Sequence, residues 1–150
     1  MFRLLLLMSL LLSGGCAHHL GDRPATAPGY FGNDQAVRAA QDDPTAGITG
    51  TFALTVQALG TEDGHLYLNS ERDYRHPLNI TLDIDATLRP ELEEHLGLKL
   101  ERLQDRHLLV NGTARRVRIA FFDSAGRQSR KYYYQTHIRV SDARQLRFAP

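Results

Sequence analysis

Along most of the chain apolar residues recur at every second position. Phe52, Leu54, Val56 and Ala58 alternate with Thr51, Ala53, Thr55 and Gln57, between Gly50 and Gly60. Successive side chains of an extended strand point to opposite faces, so this spacing predicts a half-buried strand. Asp63-Gly64 signals a turn, and His65-Leu66-Tyr67-Leu68-Asn69 is a short second run. Leu78, Ile80, Leu82 and Ile84 then alternate with Asn79, Thr81, Asp83 and Asp85, the cleanest strand pattern of all. Beyond residue 107, Leu108, Val110 and Gly112 keep one phase, whereas Val117, Ile119 and Phe121 keep the other. A bulge or kink over residues 112–115 is expected to reset the register. After a turn at Asp123-Ser124-Ala125-Gly126, Tyr132, Tyr134, Thr136, Ile138 and Val140 line one face of a long strand, and Tyr133, Gln135, His137 and Arg139 the other. Leu146-Arg147-Phe148 offers a short terminal pairing.

Only one stretch has a convincing helical period. Leu88, Leu92 and Leu96 recur every four residues, with Thr87 as a candidate cap, Pro90 in the first turn and Gly97 as a stop. Glu91, Glu93 and Glu94 favour the positive end of the helix dipole. The predicted order is three strands, one helix of about ten residues, then two or three strands. Residues 34–42 carry enough Ala and Gln for a turn or two of helix, but only Ala and Val37 to anchor it, so weak order is expected there.

The N-terminus reads differently. Arg3 precedes nine residues, 4–12, of which eight are Leu or Met. At about 1.5 Å per residue they reach roughly 14 Å, half a bilayer's hydrocarbon core, so they suit an export signal and no spanning helix. The run ends in Ser13-Gly14-Gly15-Cys16, which resembles the lipobox of bacterial lipoproteins, with Ser13 where that pattern carries an aliphatic residue. The resemblance implies a signal peptide over residues 1–15, lipidation of Cys16, and a membrane anchor made of acyl chains. Ala17 after the cysteine implies the outer rather than the inner membrane of a Gram-negative envelope. Residues 16–46, rich in Gly, Pro, Ala and Asp, read as a flexible tether, and residues 47–150 as the folded domain.

An antiparallel sheet with one helix between the third and fourth strands resembles the OB-fold, a small barrel. The expected fold class is therefore mainly β: an OB-like barrel of five to six strands with one short helix. Leu109-Val110-Asn111-Gly112-Thr113-Ala114 and Val140-Ser141-Asp142-Ala143-Arg144-Gln145-Leu146 look like phrases that recur in OB-type domains of exported bacterial proteins. The competing architecture is a curved sheet packed on the helix without closure.

Composition sharpens the picture in two ways. With 150 residues the chain holds one ordinary domain, and its single Cys excludes a disulfide scaffold or a multi-cysteine metal site. The net charge of +1 hides a division. Residues 17–98 carry 5 basic and 13 acidic side chains, whereas residues 99–150 carry 12 basic and 4 acidic.

Two groups of residues could bind a ligand. The polar segment 69–79 is longer than a connection between strands needs, and it holds Asp73, Tyr74, Arg75 and His76. They offer an acid, a stacking ring, an anion fork and a proton carrier, but they suit turn capping equally well. Arg116 and Arg118, expected to share a sheet face with Tyr133, His137 and Arg139, would form a basic surface for an anionic, polymeric or protein partner. Cross-strand ion pairs with the acidic half would account for the same residues without any ligand. The Tyr132-Tyr133-Tyr134 run puts at most two rings on a face and reads as packing.

No nucleophile elbow, P-loop or HExxH pair is present, and the histidines lack ligand spacing. No cofactor or metal is therefore expected, and export disfavours nucleic acid. The expectation is a non-catalytic cell-envelope lipoprotein, reached through its lipid anchor. A membrane-anchored hydrolase of a phosphate-containing substrate, recruiting Asp73, Asp83 and Arg75, and a purely structural envelope subunit are the alternatives.

Overall fold

The computed structural model of the chain describes residues 29–150, so the signal segment, the lipobox and Cys16 lie outside the described residues. The described part is mainly β. Its strands are β1 (Ile48–Thr55), β2 (Ala58–Glu62), β3 (His65–Asn69), β4 (Ile80–Asp85), β5 (His107–Phe122), β6 (Gln128–Val140) and β7 (Leu146–Phe148). Helix α1 (Asn33–Asp42) precedes β1, and α2 (Arg89–Leu96) stands between β4 and β5. One sheet runs in the order β1-β5-β6-β4-β3-β2, with β7 alongside β5. Every ladder is antiparallel except β4 with β6. The sheet is not closed: β1 and β2 are its two ends.

Four strands precede α2 where three are expected, because the apolar run at 51–58 breaks at Val56 and Gln57. The Val56 N–H donates to the Arg106 carbonyl (3.0 Å), the Val56 carbonyl accepts from Asp105 (2.7 Å), and the Gln57 N–H turns to the Asn69 carbonyl (2.8 Å). The chain thus changes partner from β5 to β3 at this point, which divides one alternating run into β1 and β2.

The alternation elsewhere sorts side chains as expected. Phe52, Leu54, Leu66, Leu68, Ile80, Leu82, Ile84, Leu108, Val110, Ile138 and Val140 meet in one buried cluster with Leu92 and Leu96 of α2. Burying each such side chain contributes roughly 1.5–3 kcal/mol. Asp85, not Thr87, supplies the cap ahead of α2: its carboxylate accepts from the Thr87 N–H (2.9 Å) and hydroxyl (2.6 Å). Gly97, at φ 69°, ends the helix in a conformation that only glycine adopts without strain.

Two expectations are corrected. The folded unit starts before Ile48, because α1 is part of it: Ala36, Val37 and Ala40 are buried. Just ahead of α1, Phe31 exchanges backbone bonds with Thr51 and Ala53 (both 2.9 Å) and lays its ring against Phe52 at 5.5 Å. Gly50 makes this possible, since a Cβ there would lie 2.6 Å from the Phe31 ring. The tether reading of residues 31–46 fails because small Ala side chains give little hydropathy signal yet fit closely against a sheet.

The second correction concerns β5. Residues 112–115 hold no bulge: β5 is regular from Thr55↔His107 through Ala114, and the register shift falls between Ala120 and Phe122. The apolar phase changes because β5 leaves the core after Ala114, not because the pairing slips.

Candidate functional site

Beyond Ala114 the sheet narrows to two strands. The β1 ladder stops at Ala114, β7 covers only Leu108 to Val110, and β4 meets β6 only from Thr136 onward. Residues 115–135 therefore form a ribbon whose strands pair with each other alone. Its tip is held by Asp123, whose carboxylate accepts from the Ala125 and Arg127 N–H groups (2.9 Å each) and pairs with the Arg127 guanidinium at 3.0 Å. Those bonds hold the Asp123 carboxyl below its ordinary pKa. The ribbon carries six basic side chains and one acidic.

The register decides which side chains share a face. Arg116 lies opposite Thr136, Arg118 opposite Tyr134 and Ala120 opposite Tyr132. Directly opposed residues project to the same side, so Arg116 and Arg118 accompany Tyr132 and Tyr134. Tyr133 and His137 project to the opposite face with Ile119 and Arg115, and Arg139 follows them by strand parity. The five residues expected on one basic face are divided between two.

On the first face each guanidinium stacks on a ring. Arg116 lies 3.6 Å from the Tyr134 centroid and Arg118 4.3 Å from that of Tyr132, while the two rings meet edge to face at 5.5 Å. Among the described residues neither arginine has a carboxylate partner or a side-chain hydrogen bond. Stacking fixes the planar groups and leaves their N–H donors to solvent. Tyr132 and Tyr134 are about half exposed, and Phe122, 65% exposed, makes no ring contact. The Tyr132 and Tyr134 rings, read as packing from the sequence, are the platforms that hold the arginines.

The second face is largely satisfied internally. Arg139 Nη1 donates to both Asp83 oxygens (3.1 Å each), and His65 Nδ1 lies 2.6 Å from the same carboxylate. Gln135 Nε2 donates to the Tyr74 carbonyl (3.1 Å), which can only accept, and so its oxygen faces His137 Nε2 at 2.7 Å. His137 thus carries its proton on Nε2, and burial depresses its pKa, with Asp83 acting in the other direction. A shallow hollow of about 420 Å³ opens here between Asp83, Arg115, His137, Arg139 and Gln145. The Arg115 guanidinium donates to the Thr45 carbonyl (2.7 Å). Gln145 fills the gap where β5 and β6 are not yet paired. Its amide donates to the Asn111 (2.9 Å) and Arg139 (3.1 Å) carbonyls, and its oxygen accepts from Ser141 (2.8 Å) and Asp142 (3.0 Å).

The segment 70–79 is a hydrogen-bonded knot. Asn79, 2% exposed, donates to Asn69 Oδ1 (3.1 Å), Thr81 Oγ1 (2.9 Å) and the Tyr74 carbonyl (3.2 Å), and accepts from the Glu71 N–H (3.0 Å). Asp73 caps the Arg75 N–H (2.9 Å), and the Arg75 guanidinium lies 4.4 Å from the Tyr74 centroid. His76 Nδ1 accepts from Leu78 at 3.2 Å. Of the sequence candidates, Tyr74 and Arg75 stack together, Tyr74 reaches the ribbon's base through Gln135, and His76 serves its own turn.

The acidic half of the chain does not neutralise the ribbon. Asp83 engages Arg139 and Glu93 engages Arg89 (3.0 Å) and Lys99 (2.6 Å), while within the basic half Asp142 engages Arg144 at 2.5 Å. No group of three or more His, Cys, Asp or Glu side chains among the described residues is placed to hold a metal. No described helix is long and apolar enough to cross a membrane. Compared with models of protein families, with curated proteins and with solved structures, the chain finds no match in any of the three.

Proposed function

We propose that this chain is a non-catalytic lipoprotein of the cell envelope whose OB-like domain binds an anionic partner through the ribbon of residues 115–135. The observation that carries this reading is the pair of arginines stacked on Tyr132 and Tyr134 with no carboxylate partner among the described residues. Guanidinium groups held by ring stacking, rather than by carboxylates, are preorganised donors for phosphate or carboxylate. The OB-like assignment is supported by the strand order, by the parallel β4–β6 ladder, and by α2 between β4 and β5. It is supported further by β1 and β2, two pieces of one nearly continuous segment at opposite ends of the order. The anchor rests on Ser13-Gly14-Gly15-Cys16 at the end of an apolar run too short to span.

The test is binding of a soluble polyanion, long-chain polyphosphate, across a salt series. Tight binding that weakens with salt and is lost in Arg116→Glu/Arg118→Glu, at unchanged melting temperature, is expected. Binding that survives both charge reversals would overturn the assignment to the ribbon. For the anchor, Cys16→Ser should release the protein from envelope membranes, and retention of that variant would remove the lipid from the proposal.

A further inference from the structure

We infer that the partner of the ribbon is an anionic phospholipid surface, on which residues 115–135 lie with Arg116, Arg118, Tyr132, Tyr134 and Phe122 at headgroup depth. This rests on the ribbon reading given above and narrows it to one partner.

Charge complementarity is the first argument. Six basic side chains against one acidic give the ribbon a cationic character that no described carboxylate outside it offsets. A negative leaflet attracts such residues and distinguishes little among their positions. Phe122 is the second. Near the free end of the ribbon it is 65% exposed and touches no other ring among the described residues. A hydrophilic polyanion gives an exposed Phe nothing to cover, whereas the boundary between headgroups and acyl chains does. Of the six large apolar side chains exposed among the described residues, Phe121, Phe122, Tyr132 and Tyr134 belong to the ribbon. Aromatic rings with guanidinium groups beside them are the composition that settles at a membrane interface.

Reach is the third argument. Cys16 and Gly29 are 13 residues apart. Fully extended, that segment spans at most roughly 45 Å. An acylated Cys16 would therefore hold Gly29 within that distance of a bilayer, so that a weak surface contact made by the domain gains from its high effective concentration.

The experiment uses the mature chain carrying Cys16→Ser, so that no acyl chain contributes. Co-sedimentation is measured with phosphatidylcholine vesicles containing 30% phosphatidylglycerol and with pure phosphatidylcholine vesicles, and long-chain polyphosphate is titrated in parallel. The expected result is binding to the anionic vesicles alone, reduced about fivefold by each of Arg116→Ser and Arg118→Ser. Phe122→Ser should weaken vesicle binding and leave polyphosphate binding unchanged. Should Arg116→Ser lower the folded fraction, Arg130→Ser carries the same expectation, because no side-chain partner among the described residues holds Arg130. Polyphosphate binding without vesicle binding, or a Phe122→Ser variant that binds vesicles as before, overturns the lipid inference and leaves the ribbon reading standing. Binding to neither overturns both.

Discussion

Replacing Asn79 by Ala should destabilise the domain by about 3–5 kcal/mol, more than any other single polar substitution in the segment 70–79. The Asn79 side chain is 2% exposed, so water does not readily take its place. Truncation removes two N–H donors, shared among Asn69, Thr81 and the Tyr74 carbonyl, and one acceptor for the Glu71 N–H. Some loss is absorbed. Asn69 Oδ1 still accepts from the Thr81 hydroxyl at 2.8 Å, and the Tyr74 carbonyl still accepts from Gln135. The Glu71 N–H and the Ser70 hydroxyl, 3.5 Å from Asn79 Oδ1, lose an acceptor in a poorly hydrated place. About 1–1.5 kcal/mol per lost bond, with the higher cost of an unsatisfied donor, gives the range quoted. Urea unfolding at unchanged m-value measures it. Asn33→Ala, which removes one contact of 3.0 Å to Ser70, is the internal comparison at about 0.5–1.5 kcal/mol. Asn79→Asp places a carboxylate oxygen against Asn69 Oδ1 and the Tyr74 carbonyl, and should cost more at neutral pH than below pH 4 relative to wild type. A loss under about 1 kcal/mol for Asn79→Ala would refute the view that this knot, rather than a ligand, explains the segment's polarity.

Other predictions follow from the same geometry. Gln145→Leu leaves four backbone groups around the β5–β6 gap without their partner and should cost about 2–3 kcal/mol in denaturant unfolding, softened by solvent access. Gly50→Val should displace the Phe31 ring and release α1, read as faster amide exchange over residues 33–42 with the β4 amides still protected. Burial lowers the His137 pKa below its ordinary 6.5, so the folded state binds fewer protons than the unfolded one. Its contribution is present above pH 6.5 and is lost as pH falls from there through the folded-state value; His137→Gln should flatten the pH profile of stability in that window. Arg144 holds the Asp142 carboxyl at about 2, and Arg144→Ala should return it toward 3.8 in a carboxyl-carbon NMR titration.

The strands that bury one face were legible because alternation reports burial directly: Ile80, Leu82 and Ile84 face the core while Asp83 and Asp85 face away. A turn or two of helix α1 was legible, but its docking on the sheet was not, because Ala36 and Ala40 are buried by the shape of the surface they meet, including the space Gly50 leaves for Phe31. Nor was the course of β5, since past Ala114 both faces of the ribbon meet solvent and its periodicity no longer points to a core. For the site, the identities of Arg116 and Arg118 were readable, but their companions depend on cross-strand parity. That parity is set by the turn at Asp123 and by the irregularity between Ala120 and Phe122, neither of which hydropathy encodes. Had the register been known, direct opposition of Arg118 to Tyr134 would have identified the stacked face.

The pairing order also bears on when this chain can fold. β1 waits for β5 and β4 waits for β6, with every one of those paired residues at least 52 positions apart in sequence. An N-terminal portion ending before β5 would hold hairpins with an open outer edge and no completed core. Ladders of such long range form slowly compared with local contacts. A polypeptide that crosses a membrane as an extended thread benefits from that delay, since the last strands to leave the ribosome are the ones that commit it to a compact shape. On the export proposed above, ladders of this range would leave the chain open while it is being translocated.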